Sequence, residues 1–149
     1  RGGRMGTSSR RLPDNVDRYD GRRGLVHGDS GLNNMLIHDD KVSCVLDWEF
    51  AHIGNPVYDL GYFRFQAEAL GPWEEFQRAY VAAGGIAPDP LQLDYANLLA
   101  ETRLSVMTRQ VEMAHYAGHP FGVPGAINAA AGYRNTSDER IATLLDRVM

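Results

Sequence analysis

The stretch that decides this fold is His27-Gly28-Asp29-Ser30-Gly31-Leu32-Asn33-Asn34. It places a carboxylate, Asp29, five residues before a carboxamide, Asn34. A second carboxylate, Asp47, is separated from Asn34 by twelve residues and comes directly after a short apolar run. Phosphoryl transfer uses these three groups, because one acidic side chain orients the attacking hydroxyl while an amide and a second carboxylate hold magnesium against nucleotide phosphates. The order of the three residues therefore favours phosphoryl transfer.

Each of these side chains has an expected role. The spacing from Asp29 to Asn34 equals that of the protein-kinase catalytic loop, H-R-D-x-x-x-x-N. Asp29 is the candidate catalytic residue, and because the transition state is loose, aiming the hydroxyl matters more than accepting its proton. Asn34 and Asp47 are the candidate Mg²⁺ ligands, since both offer hard oxygen atoms. His27 is expected to anchor the loop by hydrogen bonding.

The residues between the two candidate metal ligands predict a β-hairpin. Apolar β-formers at 35–37 and 42–46 flank an Asp-rich turn of four residues at 38–41. Such a hairpin would bring Asn34, at its entrance, close to Asp47, at its exit.

From Pro56 onward the pattern predicts helices. Three of them are expected to begin near Pro56, Pro72 and Pro90, and the third extends to about residue 116. Residues 118–125 read as a loop, and 136–139 as a capping box that begins the last helix. The predicted organisation is a loop-and-hairpin catalytic unit followed by helices.

Composition and charge narrow the function classes. The hydrophobic share of 44% and the charged share of 23% suit a protein with a core. No apolar run approaches the roughly 20 residues of a membrane span, and the N-terminus has no apolar signal-peptide core. The single cysteine, Cys44, excludes an internal disulfide framework and suits a reducing compartment. We therefore expect a cytoplasmic protein without a membrane partner, in which Cys44 is a buried packing residue.

The first 23 residues are basic, with seven Arg against three Asp. Arg and Gly at the start of the chain would suit RNA. The segment contains only one aromatic residue, Tyr19, and no repeated Arg-Gly-Gly unit, so a flexible lead-in is the favoured interpretation. No nucleic-acid partner is expected, and RNA binding would require an affinity that disappears when this segment is removed.

A metal-dependent phosphoesterase is the main competing enzyme class, because it also uses His, Asp and Asn around a two-metal centre. None of the remaining histidines forms a metal-ligand pair of the H-x-H or H-E-x-x-H type. They are His38, His52 (expected in a loop), His115 and His119. The sequence therefore favours a kinase over a phosphoesterase.

Three ordered motifs together resemble the aminoglycoside phosphotransferase/choline kinase-like superfamily, which shows H-G-D-x-x-x-x-N, then I-D-W/F, then G-D-P-x-x-D-L-A. The matching segments are 27–34, 45–49 and 54–60. Within that superfamily the chain is most similar to the kinase-like domains that are fused to, or accompany, acyl-CoA dehydrogenases. Two positions depart from the pattern, since many members have His at the position of Gly31 and Asp at that of Asn55. Neither departure touches the candidate metal ligands.

The resemblance implies an α+β fold, a protein-kinase-like C-terminal lobe over residues 24–149 with its catalytic loop and hairpin followed by a helical bundle. It implies ATP as the phosphate donor, with Asp29 as the catalytic aspartate and Asn34 and Asp47 as magnesium ligands. The acceptor would be a small hydroxylated molecule. Asp59 would be structural and would tie the start of a helix to the catalytic loop.

A complete enzyme of this type also has an N-terminal lobe, with a phosphate-covering loop and a lysine. The single lysine, Lys41, follows Asp29, and no G-x-G-x-x-G precedes His27. We expect the missing lobe to belong to a parent protein, and the isolated chain to be weak or inactive as a kinase. The alternative is a non-catalytic binding or regulatory module that retains the fold, and a lysine and a glycine-rich strand pair upstream would separate the two.

Six acidic side chains on the predicted helices would suit a cationic acceptor. Charge runs on helices usually face water, so a solvated surface is the favoured interpretation. These residues are Glu68, Glu74, Glu75, Asp94, Glu101 and Glu112.

Overall fold

A computed structural model describes residues 22–118 and 124–148, and it describes the side chains of 22–118 and 136–148. Nearly all of the basic lead-in therefore lies outside the described residues. The chain divides into two compact units, Arg1–Asn97 and Leu98–Met149. The prediction of one kinase-like lobe over residues 24–149 stays a prediction.

The described residues form two small antiparallel sheets and four α-helices, which confirms the mixed α+β class. The strands are β1 (Gly24–Val26), β2 (Met35–His38), β3 (Lys41–Val45) and β4 (His52–Gly54). Short 3-10 turns occupy Leu32–Asn34 and Trp48–Phe50. The helices are α1 (Val57–Leu70), α2 (Trp73–Ala82), α3 (Pro90–Tyr116) and α4 (Pro124–Val148). None of the helices within the described ranges combines the length and apolar character of a membrane span.

The predicted hairpin is confirmed, but its turn is tighter than expected. His38 pairs with Lys41, which leaves a turn of two residues. These are Asp39 and Asp40, and both have positive φ, 49° and 58°. Aspartate tolerates the left-handed region, and two such residues in succession give the backbone twist that two-residue hairpins require.

The prediction that Cys44 is buried is wrong. Cys44 lies exposed on β3, opposite Leu36 of β2. A two-stranded hairpin has no core of its own, so an apolar run in it does not by itself imply burial.

The second sheet joins the start of residues 27–34, named here the catalytic stretch, to the segment before α1. β1 pairs with β4, with Val26 opposite His52. His52 therefore lies in a strand, and its expected place in a loop is wrong. Val26 is fully buried and leads directly into His27, so this small sheet fixes where the catalytic stretch begins.

Helices α1, α2 and α3 begin where the prolines predict. In the first unit they bury one apolar cluster, with Met35, Val57, Phe76 and Tyr80 packed around it. The cluster consists of Leu60, Phe63, Ala67, Trp73 and Leu93. The rings of Trp73 and Phe76 stack with centroids 5.2 Å apart. This packing holds α1 in place, and α1 carries the residues that contact the catalytic stretch.

In the second unit, two acidic residues depart from the predicted solvated face. Glu101 and Glu112 are both buried. Arg140 of α4 donates two hydrogen bonds to the Glu101 carboxylate, at 2.9 and 3.1 Å. A buried carboxylate requires such a partner because removing a charge from water is costly unless it is paired.

The last helix begins at Pro124, so the capping box predicted at 136–139 is wrong. Those residues lie inside α4, where Ser137 is fully buried and the Thr136 hydroxyl accepts a hydrogen bond from Arg140. Proline is well suited to a helix start, because its missing N–H would have no partner in the first turn. The predicted loop at 118–125 is accordingly shorter at its C-terminal end, and 119–123 lie outside the described residues.

Candidate active site

The catalytic stretch turns sharply between β1 and β2. Gly28 has φ 81°, and a Cβ there would lie 2.7 Å from the carbonyl oxygen of Phe50. Both the backbone angle and the close contact require glycine at this position. The Gly31 amide donates to the Asp29 carbonyl at 2.8 Å, and the stretch ends in a 3-10 turn that places Asn34 at the entrance of β2.

Asp59, in the first turn of α1, holds the beginning of the stretch. Its Oδ2 accepts the amide of His27 at 2.7 Å, and its Oδ1 accepts the amide of Gly28 at 2.9 Å. Ser30 Oγ donates to the Asp59 carbonyl at 3.1 Å. A carboxylate that accepts two backbone N–H groups makes charge-assisted bonds, and these bonds tie the start of α1 to the catalytic stretch.

His27 connects the stretch to the exit of the hairpin. Its Nδ1 accepts the Asp29 amide at 3.2 Å, and its Nε2 lies 2.8 Å from the Leu46 carbonyl oxygen. Both bonds form together only when the neutral ring carries its proton on Nε2. The ring also contacts Trp48, with centroids 4.6 Å apart. These contacts suit an anchor rather than a proton carrier.

The Asp29 carboxylate is held at both oxygens. Tyr62 Oη donates to Oδ1, and Asn34 Nδ2 donates to Oδ2 at 2.9 Å. Asn34 Nδ2 also donates to the Asp29 carbonyl at 2.8 Å. A carboxylate has about four lone-pair sites, so two remain for an incoming hydroxyl.

Asn34 is 6% exposed, and its amide is used asymmetrically. The nitrogen donates to Asp29, whereas the oxygen accepts, among the residues that the structure describes, only the side-chain amide of Asn33, at 2.9 Å. Asn33 is exposed, so a cation that takes the Asn34 oxygen displaces a partner that water can satisfy. The amide is therefore suited to contribute one oxygen ligand.

Asp47 lies at the open end of the hairpin, one residue after the residue that bonds Asn34. The Leu46 amide donates to the Asn34 carbonyl at 2.8 Å and extends the β2–β3 pairing by one step, and Asp47 follows immediately. Asp47 adopts a left-handed conformation, φ 62° and ψ 61°. Within the described part of the chain its exposed carboxylate makes no hydrogen bond or ion pair. The Asp47 carboxylate is therefore available for a ligand.

Asn34 and Asp47 offer the kinds of oxygen atom that Mg²⁺ takes as ligands. Over the described ranges, no group of three or more His, Cys, Asp or Glu side chains is arranged to hold a metal. Mg²⁺ is commonly held by one or two carboxylates together with substrate phosphates and waters, rather than by an all-protein cage. One carboxylate from Asp47 and one amide oxygen from Asn34 fit that pattern.

Two contacts of the site were not predicted from the sequence. Tyr62 holds Asp29, and Gln66 Oε1 accepts the Leu32 amide at 2.6 Å. With Asp59 they stand at positions i, i+3 and i+7 of α1 and so share one face of the helix. Because the resemblance assigns Asp59 to hold the loop, the helical spacing was a signal in the sequence that could have identified Tyr62 and Gln66.

The chain is similar in sequence to a known enzyme family and to several curated proteins. Residues 4–95 match the model of a family described as phosphotransferase enzymes. The human acyl-CoA dehydrogenase family member 11 is 44% identical over 54 residues, which is 35% of this chain and 6% of the relative. The mouse family member 10 is 46% identical over 43 residues, 28% of this chain and 4% of the relative.

A plant relative shows the same partial coverage. The probable acyl-CoA dehydrogenase IBR3 of Arabidopsis thaliana is 42% identical over 41 residues, 26% of this chain and 5% of the relative. The chain thus spans only a small fraction of the length of these curated relatives. No solved structure matches it significantly.

Proposed function

Because the chain belongs to the phosphotransferase enzyme family, we propose that it forms the catalytic lobe of an Mg-ATP-dependent kinase that phosphorylates a hydroxyl of a small molecule. The observation that carries the proposal is the pair of carboxylates at the catalytic stretch. Asp29 is held at both oxygens, whereas Asp47, at the open end of the hairpin, is available for a ligand.

Different residues of the site would contact the phosphate donor and the acceptor molecule. Asn34 Oδ1 and Asp47 would hold Mg²⁺, which when bound neutralises the phosphate oxygens of ATP. Asp29 uses its remaining lone pairs to accept the acceptor hydroxyl and aim it at the γ-phosphate. Asp59 and His27 keep the backbone of the stretch in place, since their bonds reach its beginning and the hairpin exit.

The proposal also includes a second lobe, supplied by a longer parent protein. A phosphate-covering loop and its lysine would come from the rest of a longer parent protein, which the much greater length of the relatives supports. The isolated chain is then expected to bind Mg-ATP weakly and to transfer phosphate slowly. Robust phosphate transfer by this chain alone would contradict the proposal that the phosphate-covering loop and the lysine come from another part of the parent protein.

A non-catalytic binding module is the second candidate, and the position of Lys41 favours it. Lys41 pairs with His38 at the closed end of the hairpin, the opposite end from Asn34 and Asp47. It is therefore a poor substitute for a lysine that contacts the phosphates. Transfer of labelled γ-phosphate to a panel of small alcohols separates the candidates, because a binding module yields no labelled product.

The metal site is tested by titrating Mg-ATP into the chain by calorimetry. We expect Asp47→Ala to weaken binding at least tenfold, about 1.4 kcal/mol, because it removes the anionic oxygen ligand. Binding by the unchanged chain should require Mg²⁺. Asp40→Ala is the matched control, since Asp40 is also exposed, also left-handed at φ 58°, and lies at the closed end of the same hairpin.

The control separates a ligand role from a backbone effect. Alanine is strained in the left-handed region at either position, so any cost of that strain affects both variants. Asp40→Ala is expected to leave Mg-ATP affinity within about twofold of the unchanged chain. Equal losses in the two variants, or none in Asp47→Ala, would contradict the proposed metal site.

A further inference from the structure

Tyr62 contacts the carboxylate of Asp29, but the proposed function gives it no role of its own. Tyr62 is 7% exposed, and its hydroxyl donates to Asp29 Oδ1 from α1. We propose that Tyr62 is a positioning residue that fixes the orientation of the Asp29 carboxylate. The catalytic importance of this orientation rests on the proposed function, whereas the orientation itself is testable without it.

Two hydrogen-bond donors are needed because a single one does not fix the orientation of a carboxylate. The torsion that rotates the carboxylate of an aspartate is broad, so a group bonded at one oxygen still rotates. Asn34 Nδ2 holds Oδ2 from the loop, and Tyr62 holds Oδ1 from the helix. The two bonds come from different elements and together fix the plane of the carboxylate. The remaining lone pairs then have defined directions for the acceptor hydroxyl.

Tyr62 is itself well placed to act as a rigid donor. It lies one residue after Gly61, where α1 approaches the α3 backbone closely. Its ring stacks on that of Tyr58, with centroids 6.4 Å apart and planes 30° apart. A tyrosine side chain has only two rotatable χ angles, so burial costs little conformational entropy for the position it secures.

The Tyr62 hydroxyl can be removed without disturbing the fold, because neighbouring residues hold the catalytic stretch. Asp59 and Gln66 hold the backbone of the catalytic stretch on either side of Asp29 through separate bonds. Tyr62→Phe keeps the buried ring and removes only the donor. The variant should therefore release the carboxylate without releasing the loop. Because Asn34 Nδ2 bonds the other oxygen, its side-chain amide should sense the release as well.

The experiment is an NMR comparison of Tyr62→Phe with Tyr58→Phe, which removes a hydroxyl from the adjacent ring. We expect Tyr62→Phe to shift the ¹³Cγ resonance of Asp29 and the side-chain amide resonances of Asn34. Tyr58→Phe should leave the Asp29 resonance unchanged, and circular dichroism should show both variants folded. An unchanged Asp29 resonance in folded Tyr62→Phe, or equal shifts in both variants, would overturn the proposal.

A reciprocal measurement covers the case in which Tyr62→Phe fails to fold. Asp29→Ala should shift the ¹³Cζ resonance of Tyr62, because its hydroxyl loses the acceptor, and no shift there would overturn the proposal. Calorimetry with Mg-ATP on the unchanged chain keeps the two ideas apart. Absence of Mg-ATP binding with shifted Asp29 and Tyr62 resonances counts against the kinase proposal alone. Binding with unshifted resonances counts against Tyr62 alone.

Discussion

Asp59→Asn is expected to lower the free energy of unfolding by about 3 kcal/mol. Each Asp59 oxygen accepts one backbone amide, from His27 at 2.7 Å and from Gly28 at 2.9 Å. Asparagine keeps one acceptor but turns an NH₂ group towards the other amide, which leaves a poorly hydrated N–H without a partner. The remaining bond also loses its charge assistance, which roughly halves its strength. Urea denaturation monitored by circular dichroism measures the change.

A second aspartate of the same chain supplies the control. Asp89, just before α3, accepts the amides of Leu91 and Gln92 at 3.0 and 3.1 Å, but through a single oxygen, Oδ1. Asparagine can reproduce that arrangement, and Asn and Asp are comparable helix caps. Asp89→Asn should therefore stay within about 0.5 kcal/mol of the unchanged protein. Similar losses at both positions would attribute the Asp59 effect to lost negative charge at a helix start rather than to the two-oxygen clamp.

The parts of the fold that the sequence predicted are those governed by local rules. Pro56, Pro72 and Pro90 each precede or begin a helix, because proline fixes φ and tolerates the first turn. The β2–β3 hairpin follows from two apolar segments around consecutive aspartates.

The parts that were missed depend on contacts distant in sequence. Tyr62 reaches Asp29 across 33 residues, and Gln66 reaches Leu32 across 34. Neither partner is identifiable until α1 is placed against the catalytic stretch. The capping box predicted at 136–139 was wrong for a related reason. Ser137 is buried and Thr136 bonds Arg140, both inside a longer helix. Side chains that cap a helix when nothing else binds them are compatible with its interior when tertiary partners exist.

The placement of α1 on which these contacts depend rests on Gly61. A Cβ at this position would lie 2.6 Å from the backbone carbon of Ala96 and 2.7 Å from the backbone nitrogen of Asn97. Both atoms belong to α3, so no side-chain rotation relieves the overlap. The two helix backbones approach as closely as they do because residue 61 has no side chain, which also places Tyr62 beside Asp29.

Gly61→Ala is therefore expected to destabilise the protein by about 2 kcal/mol. An overpacking cost of about 3 kcal/mol is partly offset by the roughly 1 kcal/mol by which alanine exceeds glycine in helix propensity. Gly71→Ala is the matched control, because Gly71 has extended backbone, φ 172°, and open space around a Cβ. It should change stability by no more than about 0.5 kcal/mol.

Thermal and urea unfolding measure both variants, and the Asp29 ¹³Cγ resonance shows whether α1 has moved. Because α1 must shift to admit the methyl group, we expect Gly61→Ala to displace the Tyr62 hydroxyl and disturb Asp29 even where the protein still folds. A Gly61→Ala variant as stable as Gly71→Ala would contradict the close approach of α1 and α3. Lost stability with an unchanged Asp29 resonance would instead show that the helices separate without moving Tyr62.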